Sequence, residues 1–176
     1  LLLPELQASL ASATAPGKAR RPHAVVLHTK GSHYLYTQRY PRSFARWQPE
    51  CMSTDHGCTG EQFLNSFDNS ILYTDHVLAE TIALLKSHKA LLVYSSDHGE
   101  SISDQAHFHG TPRRIAPPEQ RAVPLIFWAS ERFLADPVLK AGYARLAQRQ
   151  QTKASGVGHH NLFASLLGCL GVQSPD

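Results

Sequence analysis

The chain has 176 residues, 42% of them hydrophobic and 18% charged, a length and balance that suit one folded domain and exclude disordered and low-complexity classes. Its net charge is +3, and the basic residues are scattered, adjacent only in short pairs at Arg20-Arg21 and Arg113-Arg114, so no basic stripe marks a nucleic-acid partner. No apolar run approaches the roughly 18 residues a membrane helix needs. Eleven histidines stand against two tryptophans and one methionine, which directs attention to metal chemistry. The chain begins at Leu1 and its only methionine is Met52, so a fragment, a processed product or a trimmed piece is expected. Pro4 and Glu5 near the start do not fit a signal peptide.

Leu3, Leu6 and Leu10 recur at spacings of three and four, which predicts a short amphipathic helix over 2–13. Pro16, Gly17 and the basic run to Arg21 end it in a loop. HAVVLH at 23–28 has the length and composition of a strand, punctuated by Gly31. Residues 34–60 lack periodicity and predict a long structured loop. Over 61–88, Phe63, Phe67 and Ile71 share a face that Leu78, Ile82 and Leu85 continue, the pattern of an amphipathic helix. ALLVYSS at 90–96 reads as a strand buried on both faces. A loop over 97–120 and a strand within 122–130 follow, with Pro124 favouring the strand's start or a sheet edge. Helices are expected near 137–148 and 159–170. Strands separated by a long helix predict an α/β fold with a mainly parallel sheet.

The chemistry-bearing residues gather after the predicted strands. Asp97-His98-Gly99-Glu100 follows 90–96 directly, where open α/β sheets place ligand sites. An adjacent Asp and His offer one oxygen and one nitrogen ligand, half of a zinc site; a capped turn with a surface histidine is the plainer alternative. His28 and His33 follow the first predicted strand, and His107 and His109 follow Asp97 in HFHG. Each alone reads as structural, whereas together they read as a metal-centred site; spacing does not choose between His107 and His109. Glu100 either orients His98 or caps the turn. Arg113 and Arg114 read as a solvated pair, Lys30 as ambiguous, and Pro117-Pro118 as loop stiffening. Cys51 and Cys58 are spaced wider than the common zinc half-site; a disulfide is the simpler reading and implies an oxidising compartment. Cys169, in an apolar helix, reads as a buried free thiol.

HTKGSHYLYTQRYP, the paired cysteines, FDNSILYTD, YSSDHGES and HGTPRRIAPPEQRAVPLIFWAS stand in the same order as in bacterial phosphoethanolamine transferases, the lipopolysaccharide-modifying family that includes mobile colistin-resistance proteins. The chain resembles that family most clearly over 22–133. The resemblance implies a three-layer α/β/α sandwich of the alkaline-phosphatase/sulfatase type, with 1–176 as the C-terminal part of a periplasmic catalytic domain tethered to the bacterial inner membrane by an N-terminal helical bundle. It implies transfer of phosphoethanolamine from phosphatidylethanolamine, through a zinc-activated threonine, to lipopolysaccharide. By motif, Asp97 and His98 match two Zn2+ ligands. His33 and His109 match histidines that bind the phosphate or a second metal. His28 matches a supporting position, and Cys51 and Cys58 match a family disulfide. HGTP aligns His109, rather than His107, with the family residue. Residues 67–69 and 73–75 match a long structural helix.

The same resemblance places the threonine nucleophile and an acidic zinc ligand well upstream of HTKGSH. Here 27 residues precede His28, with Glu5 as their one acidic residue and Thr14 in an unsuitable small-residue loop. The expectation is a C-terminal half-domain with half the zinc ligands, no nucleophile, no transfer activity alone and exposed apolar surface. Tyr34-Leu35-Tyr36 after GSH, where lipid A-modifying members show Gly-Pro, leans towards the branch acting on a Kdo sugar of the inner core. The alternatives are a sulfatase-like hydrolase, an alditol-phosphate transferase of the same superfamily, or a non-catalytic gene remnant.

Overall fold

The computed structural model describes residues 2–15, 17, 22–53, 57–103, 107–151 and 157–172. Helix α1 spans Leu2–Ala13 and α2 Gly60–Leu85. Strand β1 (Leu91–Ser95), the short strands β2 (Ser101–Ile102) and β3 (His107–Phe108), helix α3 (Pro118–Arg121) and β4 (Leu125–Ala129) follow. The chain finishes with α4 (Glu131–Leu134), α5 (Pro137–Gln151) and α6 (Leu162–Cys169), the last entered through a 3-10 turn at His159–Asn161. Pro16, the basic residues 18–21 and the tip of the cysteine loop at 54–56 lie outside the described residues. No helix among those described is long and apolar enough to cross a membrane.

The fold divides into two compact units. One comprises residues up to Ala83 together with Ser95–Leu125; the other comprises Leu84–Tyr94 and the residues from Ile126 onward.

In the first unit α2 organises the long loop at 34–58. Thr59 and Gln62 start the helix with reciprocal bonds: the Thr59 hydroxyl accepts from the Gln62 N–H at 3.3 Å, and the Gln62 side chain accepts from the Thr59 N–H at 2.8 Å. Phe63 is fully buried with Tyr36, Cys51 and Cys58, and Tyr34, Phe67 and Ile102 pack against them. Cys51 and Cys58 form a disulfide. The buried stripe of α2 is mostly polar, with Ser66, Asn69 and Ser70 all at 1% exposure or less. Its polar groups satisfy backbone that the loop cannot pair with itself. Ser66 Oγ accepts from Cys51 N at 2.8 Å. Asn69 Oδ1 accepts from Arg46 N and Trp47 N, each at 2.9 Å, while Asn69 Nδ2 donates to Trp47 O at 3.0 Å. Ile71, expected on the buried face, is 45% exposed, because the inward positions beside it are taken by Asn69 and Ser70.

The second unit holds the pair β1–β4 with α4, α5 and α6. Ser130 joins its pieces: Ser130 Oγ donates to His88 O at 2.6 Å and accepts from Ala90 N at 3.1 Å and Phe133 N at 3.1 Å, capping α4. Tyr143 on α5 donates its hydroxyl to Phe127 O of β4 at 3.1 Å. Helices α5 and α6 meet at Gly142, where a Cβ would stand 2.4 Å from Gly168 O. Cys169 is buried and in no disulfide.

Three expectations are corrected. HAVVLH at 23–28 forms no strand; Val25 is 44% and Val26 88% exposed. Apolar residues alone do not make a strand, which needs a neighbour's backbone to pair with, and 22–30 has none among the described residues. Among the described residues neither strand pair is parallel. Ser130, just past the end of β4, donates its N–H to Ala90 O just before the start of β1, at 3.0 Å, so these neighbours run in opposite directions, and β2–β3 is antiparallel as well. Finally, β1 is half-buried along its whole length rather than buried on both faces.

Candidate active site

The Asp97–Glu100 turn continues from the end of β1 and is tied down locally. Asp97 Oδ1 accepts from His98 N at 3.0 Å, and Ser96 Oγ donates to His98 O at 2.7 Å. Gly99 N donates to Gln120 O at 3.0 Å. A Cβ on Gly99 would lie 2.0 Å from Glu119 O, so the glycine lets this turn rest directly on the α3 backbone.

The loop expected at 97–120 contains a small hairpin, and its register builds the site. Ser101 faces Phe108 and Ile102 faces His107; one step outward places Glu100 opposite His109. His109 Nδ1 lies 3.2 Å from both Glu100 carboxylate oxygens, and that carboxylate is 4% exposed. The His98 and His109 rings stack with centroids 4.5 Å apart and 18° between planes. His33 meets His109 edge-on at 5.4 Å.

All three rings use the same nitrogen to hold their orientation. His98 Nδ1 donates to Gly99 O at 2.8 Å and His33 Nδ1 to Tyr34 O at 2.6 Å, while His109 Nδ1 faces Glu100. A carbonyl or carboxylate oxygen only accepts, so Nδ1 is the donor in each contact, and in the neutral ring the lone pair then lies on Nε2. This is the arrangement that prepares histidine for metal binding. Arg39 adds a clasp around His33, its Nε donating to His33 O at 2.8 Å and its Nη2 to Tyr34 O at 3.0 Å. Tyr36, 2% exposed, lies beneath; burial first, and then the nearby Glu100 carboxylate, push its hydroxyl well above the ordinary tyrosine range.

The donor set fits part of a zinc site. His98 Nε2 and Asp97 Oδ1 are 4.0 Å apart, and the Asp97 side chain is 90% exposed. Zinc holds nitrogen and oxygen ligands at about 2.0–2.2 Å, so this separation lies near the upper limit for two atoms sharing one ion. Among the described residues no group of three or more His, Cys, Asp or Glu is arranged to hold a metal.

Of the residues singled out by sequence, the structure brings His33, His98, Glu100 and His109 together with Asp97 alongside. His28 is exposed in the irregular 22–30 segment and stays outside this group. Glu100, considered as an orienting partner for His98, bonds His109 instead, because the hairpin register sets those two residues opposite each other. The His107 side chain lies outside the description. Arg113 and Arg114 are exposed in a turn. Arg39 and Gln120 were missed: neither is flagged by spacing, and both act mainly on backbone groups.

Comparison with known proteins follows the same chemistry. Residues 2–172 match the Sulfatase family model. The chain is 47% identical over 176 residues to the Kdo(2)-lipid A phosphoethanolamine 7''-transferase of Escherichia coli (strain K12), covering 100% of this chain and 30% of that protein. It is 38% identical over 157 residues to phosphoethanolamine transferase EptA of Escherichia coli O157:H7, covering 85% of this chain and 28% of that one. The crystal structure of the soluble domain of lipooligosaccharide phosphoethanolamine transferase A from Neisseria meningitidis superposes with a TM-score of 0.76 at 26% identity, over 97% of this chain and 50% of that chain. The chain thus spans about a third of these curated relatives and half of the solved soluble domain. With the family model matched over nearly its whole length, and an α/β fold shared with that soluble domain, the chain belongs to the sulfatase family.

Proposed function

We propose that residues 1–176 are the C-terminal part of the catalytic domain of a phosphoethanolamine transferase. The whole enzyme would move phosphoethanolamine from phosphatidylethanolamine to lipopolysaccharide at the periplasmic face of the inner membrane. The observation that carries the reading is the convergence of His33, His98 and His109, each ring fixed through Nδ1 with Nε2 left available. Identity of 47% to a Kdo(2)-lipid A transferase, against 38% to EptA, supports a Kdo sugar as acceptor. The disulfide at Cys51–Cys58 supports an oxidising compartment such as the periplasm.

In this reading Asp97 and His98 hold a zinc ion together with ligands from outside these residues. When bound, zinc polarises a phosphoryl oxygen and favours the ionised form of a hydroxyl nucleophile. The Nδ1 contact to Gly99 O holds the His98 ring so that Nε2 is the nitrogen available to a metal. His33 and His109 receive the phosphate. With Nδ1 against Glu100, the other ring nitrogen of His109, Nε2, is the atom that would meet a phosphoryl oxygen. The attacking threonine implied by the family resemblance is none of the residues around His98, so the segment contributes half of a centre.

Zinc titrated calorimetrically into the chain tests the half-site. Weak binding, lost in both Asp97→Ala and His98→Ala, is expected of two ligands alone; tight binding, or binding that survives both substitutions, rejects this ligand assignment. Transfer is tested with the intact enzyme containing this segment, by mass analysis of lipopolysaccharide from cells expressing it. Phosphoethanolamine on Kdo, absent with His98→Ala, is the expected outcome. Modification of lipid A alone rejects the acceptor, and no modification rejects the reading.

A further inference from the structure

We propose that Gln120 is a positioning residue of this centre, acting on Glu100 through Gly99 N and the Ser101 hydroxyl and on His109 through the backbone of Phe108 and Thr111. The inference rests on the reading of His109 as part of the transfer site and adds to it a residue that neither motif nor spacing marks.

Gln120 is 7% exposed on the four-residue helix α3. Its carbonyl accepts from Gly99 N at 3.0 Å. Its side-chain amide Nε2 donates to Ser101 Oγ at 3.0 Å and to Phe108 O at 3.1 Å, and Oε1 accepts from Thr111 N at 3.2 Å. Gly99 and Ser101 flank Glu100; Phe108 immediately precedes His109, and Thr111 follows it by two residues. One buried amide therefore grips both chains of the hairpin where Glu100 meets His109. With β2 and β3 of two residues each, the hairpin has little ladder of its own to hold that register. The amide matches its surroundings in polarity: both donors and the acceptor are used. A carboxylate in its place cannot donate to Phe108 O, and a thioether leaves Phe108 O and Thr111 N without side-chain partners.

The test uses the 176-residue chain without metal and reads the histidine tautomers by nitrogen-15 NMR. In the unsubstituted chain His109 is expected as the Nδ1–H tautomer, fixed by Glu100. Gln120→Met, close in volume, and Gln120→Glu, close in shape, should each keep the helical circular dichroism while His109 loses its fixed tautomer. His33, held by Arg39 and Tyr34, should keep its own. Phe133→Ala, in the other unit, supplies a general loss of stability and should leave His109 unchanged. If either Gln120 variant folds with the His109 signature intact, or if Phe133→Ala shifts it as much, the proposal is overturned. If Gln120→Met does not fold, Gln120→Glu carries the decision; if neither folds, Gln120 is a general fold determinant and the specific proposal is rejected. Failure of the transferase reading would appear separately, as absent phosphoethanolamine transfer by an intact enzyme whose His109 remains ordered.

Discussion

Replacing Gly99 with alanine is the sharpest probe of how the site is seated. The added Cβ would stand 2.0 Å from Glu119 O, 3.1 Å from Glu119 C and 3.3 Å from Gln120 Cα. Non-bonded heavy atoms settle at about 3.5 Å or beyond, so about 1.5 Å of separation must be found. None of these neighbours is a side-chain tip that can swing away; all are backbone of α3, drawn towards the turn by the Gly99 N to Gln120 O bond of 3.0 Å. Overpacking costs about 1–3 kcal/mol and sometimes more, and a clash with fixed backbone belongs at the upper end. For a chain of this size, about 3 kcal/mol lowers the melting temperature by about 6–12 °C. The assay is thermal unfolding followed by circular dichroism, with Gly168→Ala as the control. A Cβ on Gly168 meets nothing within 4 Å, so that variant should melt at or above the parent temperature. A Gly99→Ala chain that melts no lower than its parent would refute the claim that the turn is pressed against α3.

Three further outcomes follow from the same structure. Removing the disulfide with Cys51→Ala and Cys58→Ala should cost about 2–3 kcal/mol by the loop-entropy account, and reductant should lower the parent's urea midpoint but not that of the double variant. Burial, and then the hydrogen bond to Glu50, push the Tyr40 hydroxyl up to about 12. An unfolded tyrosine ionises near pH 10, so this contribution is complete below about pH 10 and is lost as pH rises towards about 12; urea midpoints should fall more steeply over that interval in the parent than in Tyr40→Phe. Asn69→Ala leaves the N–H groups of Arg46 and Trp47 without their acceptor, at an expected cost of about 1–3 kcal/mol; Trp47 fluorescence should report loosening of its loop before global unfolding.

The local content of the chain was legible from its residues. The 3.6-residue periodicity located α1 and α2 to within a few positions, and the apolar run at 90–96 located β1, because these signals depend only on which side chains must leave water together. The Thr59–Gln62 capping box was equally legible and went unread. The motifs also pointed to the residues that gather at the site. Partnership was not legible. Whether HAVVLH becomes a strand depends on another strand's backbone, and nothing within those six residues specifies one. That Glu100 holds His109 and not the adjacent His98 follows from the β2–β3 register, which two-residue strands do not announce through alternation. The roles of Gln120 and Arg39 are invisible in spacing because each acts mainly on main-chain groups, which every residue carries alike. Periodicity determined where the two long amphipathic helices form, and the motifs picked out the histidines that gather. Only the tertiary structure decided which ring nitrogen is left available, because that depends on which carbonyl or carboxylate the folded backbone sets beside each ring.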